Sequence, residues 1–348
     1  MQPVAEPSEK KNRWYADIRI KVAIIAALIL LLAGISVSGW FLSYVLRPGP
    51  MVPANRVAVY IPRGTSVQQI VEILAEARLI QADSRFILLT RLTGLSGQLQ
   101  AGEFSLLTNQ KPLGVIRELA IARPLEHSIT IPEGLNIEEI ADILSADGWV
   151  DRDRFLGLSR DEKFLAELGL TEHASFEGYL FPDTYHFVRP AQDEEILISK
   201  LVRRSLEVWD SLSKNATPLS RHEVFTLASI IEKETAQPGE RPVIAAVFLN
   251  RLRKKMKLQS DPTVIYGMAE FDGKLLRSDL KKPTPYNTYI IPALPQGPIC
   301  SPGKESLQAV LLPEQNDYLY FVSKNDGTHY FSKNLREHNR AVRKYQRN

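Results

Sequence analysis

The sequence predicts an α+β protein: a single N-terminal transmembrane helix, a small strand–helix–helix–strand module, and a mixed α/β domain beyond it. Three observations carry that prediction. One stretch of 24 residues holds no charge. A strand–turn–helix pattern occurs twice at an offset of 70 residues. After the second copy, helical and alternating patterns intermix to the C-terminus.

The uncharged stretch is Val22–Val45. As a helix it extends about 36 Å at 1.5 Å per residue, enough for a hydrocarbon core of roughly 30 Å. Lys10, Lys11, Arg13, Arg19 and Lys21 precede it, and only Arg47 follows closely. The positive-inside rule therefore puts residues 1–21 in the cytoplasm as a short tail. Trp40, Phe41 and Tyr44 gather at the far end, where aromatic rings favour the lipid–water interface. A cleaved signal peptide has an apolar region of about 7–15 residues and a small-residue cleavage site. This stretch is longer and no A-x-A site follows, so it reads as an uncleaved anchor for some 300 exported residues.

Composition excludes several classes. Charged residues are 24%, hydrophobic ones 44%, and the net charge is +3, ordinary values for a globular chain. No basic tract with interleaved aromatics points to nucleic acid as a partner. The single cysteine, Cys300, forms no intramolecular disulfide and reads as a small loop residue. Six scattered histidines make no H-x-x-x-H or H-E-x-x-H pair, so no metal site is implied. Ser301-Pro-Gly-Lys304 fits S-x-x-K, but the companion S-D-N and K-T-G motifs are absent. Pro302 and Gly303 make it instead a turn that opens a helix at Lys304.

The repeat pairs Ile61–Leu74 with Ile131–Leu144. Each copy follows an alternating stretch, Val57–Ile61 or His127–Ile131, that predicts a strand. Ser66 and Asn136 are good N-caps, with Gln69 and Glu139 three residues on as in a capping box. Apolar residues then recur at helical intervals: Val67, Ile70, Ile73 and Leu74, and Ile137, Ile140, Ile143 and Leu144. The first copy continues through a helix near Asp83–Leu92 and a strand near Gly102–Leu107. That layout is the one of LysM-type modules, which bind the N-acetylglucosamine of cell-wall glycans, and it equally suits a purely structural module. The expected organisation is a LysM-like module at 57–125, a second α+β unit at 126–170, and a catalytic domain at 171–345.

The chemistry concentrates after Arg221. Val224, Phe225, Leu227, Ala228, Ile230 and Ile231 form one broad apolar arc of a helix, and Glu232 and Glu234 fall at its two borders. A carboxyl beside apolar surface is desolvated, which raises its pKa toward the range of a general acid. The competing expectation is an ordinary helix end with both glutamates solvated. Spacing does not choose between Glu232 and Glu234.

These residues resemble the endolytic murein transglycosylases of the YceG-like (MltG) family. Ala228-Ser-Ile-Ile-Glu-Lys-Glu-Thr-Ala236 resembles that family's signature helix. Leu258–Gly267, Pro285-Tyr-Asn-Thr-Tyr289, Leu294–Ile299 with Ser301-Pro-Gly303, Phe176–Tyr185 and Tyr318–Val322 match further signatures. Cys300 is a small departure, at a position where a polar residue is expected. The resemblance implies a LysM-like first module and makes Glu232 the catalytic residue. Gln259, Asp261, Tyr286, Asn287, Tyr289 and Glu177 are the candidates for holding glycan. Tyrosines offer a face for sugar C–H groups and a hydroxyl donor. Asp261-Pro262 also suits a helix cap, and Tyr286 and Tyr289 also suit a core.

The implied reaction needs one carboxyl. A glycoside hydrolase employs two, one as acid and one to activate water or attack the sugar. A lytic transglycosylase cuts the MurNAc–GlcNAc bond with the sugar's own C6 hydroxyl, so proximity replaces the second nucleophile. The expected product is a 1,6-anhydro end on nascent peptidoglycan, which terminates strand elongation. The expected place is the bacterial inner membrane, with the catalytic domain periplasmic. No cofactor is implied, and the family suggests penicillin-binding proteins in synthase complexes as partners. Two rivals stay open: a muramidase pairing Glu232 with a second carboxylate such as Asp261, and a non-catalytic peptidoglycan-binding scaffold.

Overall fold

The computed structural model describes residues 7–50, 54–121, 123–171, 173–189, 193–212 and 217–346. The first six residues of the expected tail lie outside them, as do the side chains of Lys10, Lys11 and Arg13. The chain divides into two compact units, one running to Glu126 and taking in Val188–Pro190, the other formed by 127–187 with the residues from 191 onward.

In the first unit, helix α1 spans Pro7–Val45. Its part from Ile18 to Val45, 28 residues with a mean hydropathy of 2.7, is long and apolar enough to cross a bilayer. Every side chain from Ile18 to Trp40 is exposed. Tyr44 departs from the expectation of an interfacial ring. It is buried, packed into the core of the module that follows, with the Arg85 guanidinium 5.0 Å from its ring centroid. Trp40 remains exposed, and Arg85 lies over its ring too, at 4.8 Å.

The module has the predicted order. Strand β1 (Arg56–Ile61) leads to α2 (Val67–Glu76), α3 (Arg85–Leu92) and β2 (Gly102–Leu107). β1 and β2 are antiparallel, with Val59 opposite Phe104. Ser66 makes the full capping box with Gln69. A further helix, α4 (Pro112–Ile121), adds Val115, Ile116 and Leu119 to the core. It was not expected from the sequence.

The second unit opens with the second copy: β3 (Glu126–Thr130), α5 (Ile137–Ala146) and α6 (Arg152–Leu158), followed by α7 (Glu162–Glu167). Asn136 caps α5 with Glu139 in the same reciprocal box. The strand that pairs with β3 is β4 (Thr184–Val188), where the Thr130 and Thr184 hydroxyls meet at 2.9 Å. The core runs across residue 170, where the sequence suggested a boundary. Ile129, Ile140, Leu144 and Phe155 share one hydrophobic cluster with Tyr179, Phe187 and the later helices.

Those later elements are α8 (Glu194–Leu212), α9 (Arg221–Glu234), α10 (Arg241–Arg253), α11 (Asp261–Tyr266), α12 (Lys304–Leu311), the antiparallel pair β5 (Tyr320–Ser323) and β6 (His329–Ser332), and α13 (Leu335–Tyr345). α9 is the centre. Ser220 caps it with Glu223, and every residue from Val224 to Ile231 is buried. Burying Val224, Phe225, Leu227, Ile230 and Ile231 contributes roughly 1.5–3 kcal/mol each. Thr235 takes up extended backbone and ends the helix one residue after Glu234. The two glutamates thus sit on the last turn of a helix buried from Val224 to Ile231.

Candidate active site

Glu232 points from α9 into a junction of three segments. Arg241, the first residue of α10, donates from Nη2 to Glu232 Oε1 at 2.9 Å. The Gly303 N–H, at the N-terminus of α12, donates to Oε2 at 2.9 Å. The same Nη2 of Arg241 lies 3.5 Å from Glu133 Oε2. The side chains of Glu232 and Arg241 are 5% and 9% exposed, that of Glu133 42%, so the open side of this cluster is the Glu133 side. Glu133 belongs to the turn Pro132-Glu133-Gly134 of the second repeat copy. Its backbone is tied down by Gly134 N–H to Ser301 O at 2.9 Å and Ser301 N–H to Leu135 O at 2.7 Å. Glycine at 303 leaves room for the Glu133 carboxyl, because a Cβ there would fall on it and push it aside.

Glu234 faces a different neighbourhood. The Ser260 hydroxyl donates to its Oε1. Burial pushes this carboxyl up to about 7, with nearby Asp261 adding to the rise and Ser260 opposing it. Tyr289 donates to Asp261 Oδ1 at 2.6 Å. The second and third signatures therefore converge on Glu234, and Glu232 is served by other segments. The roughly 200° of helix rotation between the two positions accounts for the split.

A third group lies around Glu177. Its Oε2 accepts from Tyr266 Oη at 2.9 Å and from the Ile137 N–H at the start of α5. Burial pushes Glu177 up to about 7, against the pull of those hydrogen bonds. Tyr266 and Tyr286 meet edge to face, centroids 4.7 Å apart. Glu177, Tyr266 and Tyr286 line a cleft of about 630 Å³ together with Asn136 and Ser175. The loop of the fourth signature links this cleft to Glu232. Gly297 lies beside Tyr286, Pro298 packs on Gly178, Ile299 and Cys300 bond to Ser229, and Gly303 reaches Glu232.

The predicted residues thus divide. Tyr286 and Glu177 share the cleft. Asp261 and Tyr289 stand by Glu234. Gln259 is exposed, on a left-handed backbone (φ 52°) whose N–H bonds to Thr288 O. Asn287 is fully buried, its Nδ2 bonded to the carbonyls of Leu280 and Lys282 and its Oδ1 to the Tyr289 N–H. Its amide is taken up by its own loop. Cys300 is buried with its Sγ on Ser229 O, and burial raises its thiol well above the ordinary range, so it is no nucleophile. Ser301–Gly303 is the predicted turn, with α12 opening at Lys304. Sequence reasoning missed Glu133, Arg241 and Ser260. One signal existed for Glu133: at the offset of 70 it replaces Arg63 between a proline and a glycine that both copies keep.

The YceG-like family model matches residues 59–344. The chain belongs to that family. An endolytic murein transglycosylase of Bacillus subtilis (strain 168) is 34% identical over 317 residues, which cover 86% of this chain and 88% of that protein. Another of that name, from Streptococcus pneumoniae (strain R6), is 28% identical and is matched over 92% of this chain and 64% of its own length. The crystal structure of a YceG-like protein from Listeria monocytogenes aligns with a TM-score of 0.56 at 33% identity, covering 82% of this chain and 99% of that one.

Proposed function

We propose that this YceG-like protein is a membrane-anchored endolytic murein transglycosylase in which Glu232 serves as both acid and base. The observation that carries the proposal is the family match through residues 59–344, which takes in the Glu232 helix and all the segments that hold its carboxyl. Protonated Glu232 gives its proton to the glycosidic oxygen, and the bond from that oxygen to C1 of MurNAc breaks. The carboxylate, steadied by Arg241 and the Gly303 N–H, then takes the proton of the C6 hydroxyl as O6 bonds to C1. Glu232 ends as it began, and no water enters. The cleft of Glu177, Tyr266 and Tyr286 is positioned to hold sugar rings on the way to Glu232.

A second reading has its own observation. Glu234 is the carboxyl raised to about 7, and Asp261 is its neighbour. Two carboxylates are what a muramidase requires. Asp261 influences Glu234 while Glu232 is held by Arg241 and Gly303, so this rival pairs Asp261 with Glu234. The two readings separate on one comparison. Glu232→Gln should lose at least the roughly 10²–10⁴-fold typical of removing an acid/base group, while Glu234→Gln keeps most of its turnover. If Glu234→Gln is the inactive one, the second reading replaces the first.

Around this core stand three further proposals. The Ile18–Val45 helix anchors the chain in the inner membrane with its N-terminus in the cytoplasm, and a C-terminal reporter active only in the periplasm checks it. The strand–helix–helix–strand module of the first unit is LysM-like and binds glycan; deleting it should weaken glycan binding and leave anhydro product. Penicillin-binding proteins are its partners near the membrane, testable by crosslinking in cells.

A further inference from the structure

We propose that Glu133 is a positioning residue for this reaction: its carboxylate shares Arg241 with Glu232 and so loosens the hold of Arg241 on the acid. The inference rests on the reading of Glu232 as the acid. Arg241 Nη2 lies 2.9 Å from Glu232 Oε1, and a guanidinium beside a carboxyl favours the charged form over the proton-donating one. A second negative group on the same guanidinium opposes that effect. Glu133 is that group, because Arg241 Nη2 touches both carboxylates and no other acidic side chain is bonded to Arg241 among the described residues.

The other groups facing Glu133 fit the same role. Glu232 and Lys233 come from α9, Arg241 from α10 and Glu305 from α12. Lys233 Nζ is turned to the Gly134 carbonyl at 3.2 Å, which leaves Arg241 as the cation of the pair. Burial and the Glu232 charge both push the Glu133 carboxyl up, as expected of two carboxyls competing for one proton. The placement is built in. The turn is bonded at both ends to Ser301, and Gly303 leaves the space that the carboxyl fills. In the first repeat copy the matching position is Arg63, exposed, beside a Gly64 with open space around it. One copy of the turn carries an acid where the other carries a base.

The test is the pH dependence of kcat and KM for the full-length protein in detergent, cutting glycan strands. Glu133→Gln removes the charge and keeps the shape, on a turn whose side chain is exposed enough to tolerate the change. At neutral pH kcat should fall about tenfold, and the upper arm of the kcat–pH profile should move down by about one unit. KM should stay within about twofold, and kcat should recover toward the parent value at lower pH. Glu133→Asp keeps the charge and should restore the arm. Gly303→Ala, whose new methyl displaces the Glu133 carboxyl, should move the arm in the same direction. An arm that does not move, a uniform fall of kcat at every pH, or a rise in KM alone overturns the inference. If Glu232→Gln is inactive and Glu133→Gln keeps the parent profile, only this inference falls. If Glu232→Gln turns over at the parent rate, the acid reading falls and Glu133 falls with it.

Discussion

The two copies of the strand–turn–helix repeat have the same local structure and opposite surroundings. In both, a Pro-X-Gly turn leads to an N-cap with a complete capping box, and the turn glycine is left-handed, φ 76° at Gly64 and 81° at Gly134. Gly64 is exposed with open space around it. Gly134 is buried against Glu232 and Lys233. The middle residue follows suit: Arg63 lies in solvent, whereas Glu133 reaches Arg241. The comparison teaches that the local code of a turn and helix start sets its shape, while its neighbours decide its chemistry. The first copy is scaffold for its own module. The second forms one wall of the candidate active site.

Exchanging the two middle residues breaks this comparison most severely. Glu133→Arg would place a second cation beside Arg241 and Glu232 and oppose proton donation from that site. We expect kcat at neutral pH to drop by about 10²-fold or more. The mirror change, Arg63→Glu, should leave kcat and the pH profile as they are. Steady-state kinetics on both variants decide it, and similar losses in the two would end the claim that only the second turn serves the site.

A buried carboxyl sharpens the comparison next. Glu177 accepts from the first N–H of α5 and is raised from 4.5 to about 7 by burial. Between about pH 4.5 and 7 the folded protein retains a proton that the unfolded chain has released, so Glu177 lowers stability progressively as pH rises through that window. Glu177→Gln escapes this loss. Relative to the parent it should gain about 3 kcal/mol on going from pH 4 to pH 8, read from denaturant melts at both values. An unchanged difference between the two pH values would show that the carboxyl is not buried as described.

The caps give the smallest effect. Ser66→Ala and Asn136→Ala should each cost about 1 kcal/mol of stability, because each removes one half of a capping box. Only Asn136→Ala should also reduce kcat, since its turn carries Glu133. Melting curves and turnover, measured on the same preparations, test both halves.

Much of this architecture was legible because it is local. The capping boxes, the apolar intervals of α2 and α5, and the engulfed stripe of α9 are all written within a dozen residues. What depended on distance was not. β4 pairs with β3 across more than fifty residues and three intervening helices, so the sequence suggests an end to the second unit at residue 170. Tyr44 resembles an interfacial ring until the module core closes around it. At the site, Glu232 and Glu234 were visible as border residues, but their partners come from remote segments. The muramidase alternative pairs Asp261 with Glu232, but the helix rotation brings Asp261 and Tyr289 to Glu234 instead. Asn287 reads as a polar glycan contact by type, but its amide is taken up by carbonyls of its own loop.

The central claim is that one glutamate and the sugar's own hydroxyl do the cutting, and the ends of the product strands record it. Full-length protein should be incubated with nascent glycan strands and the fragments weighed by mass spectrometry. The account predicts internal cuts that leave 1,6-anhydro-MurNAc ends, lighter than the hydrolytic product by one water. Reducing MurNAc ends on the same fragments would contradict it and identify a muramidase.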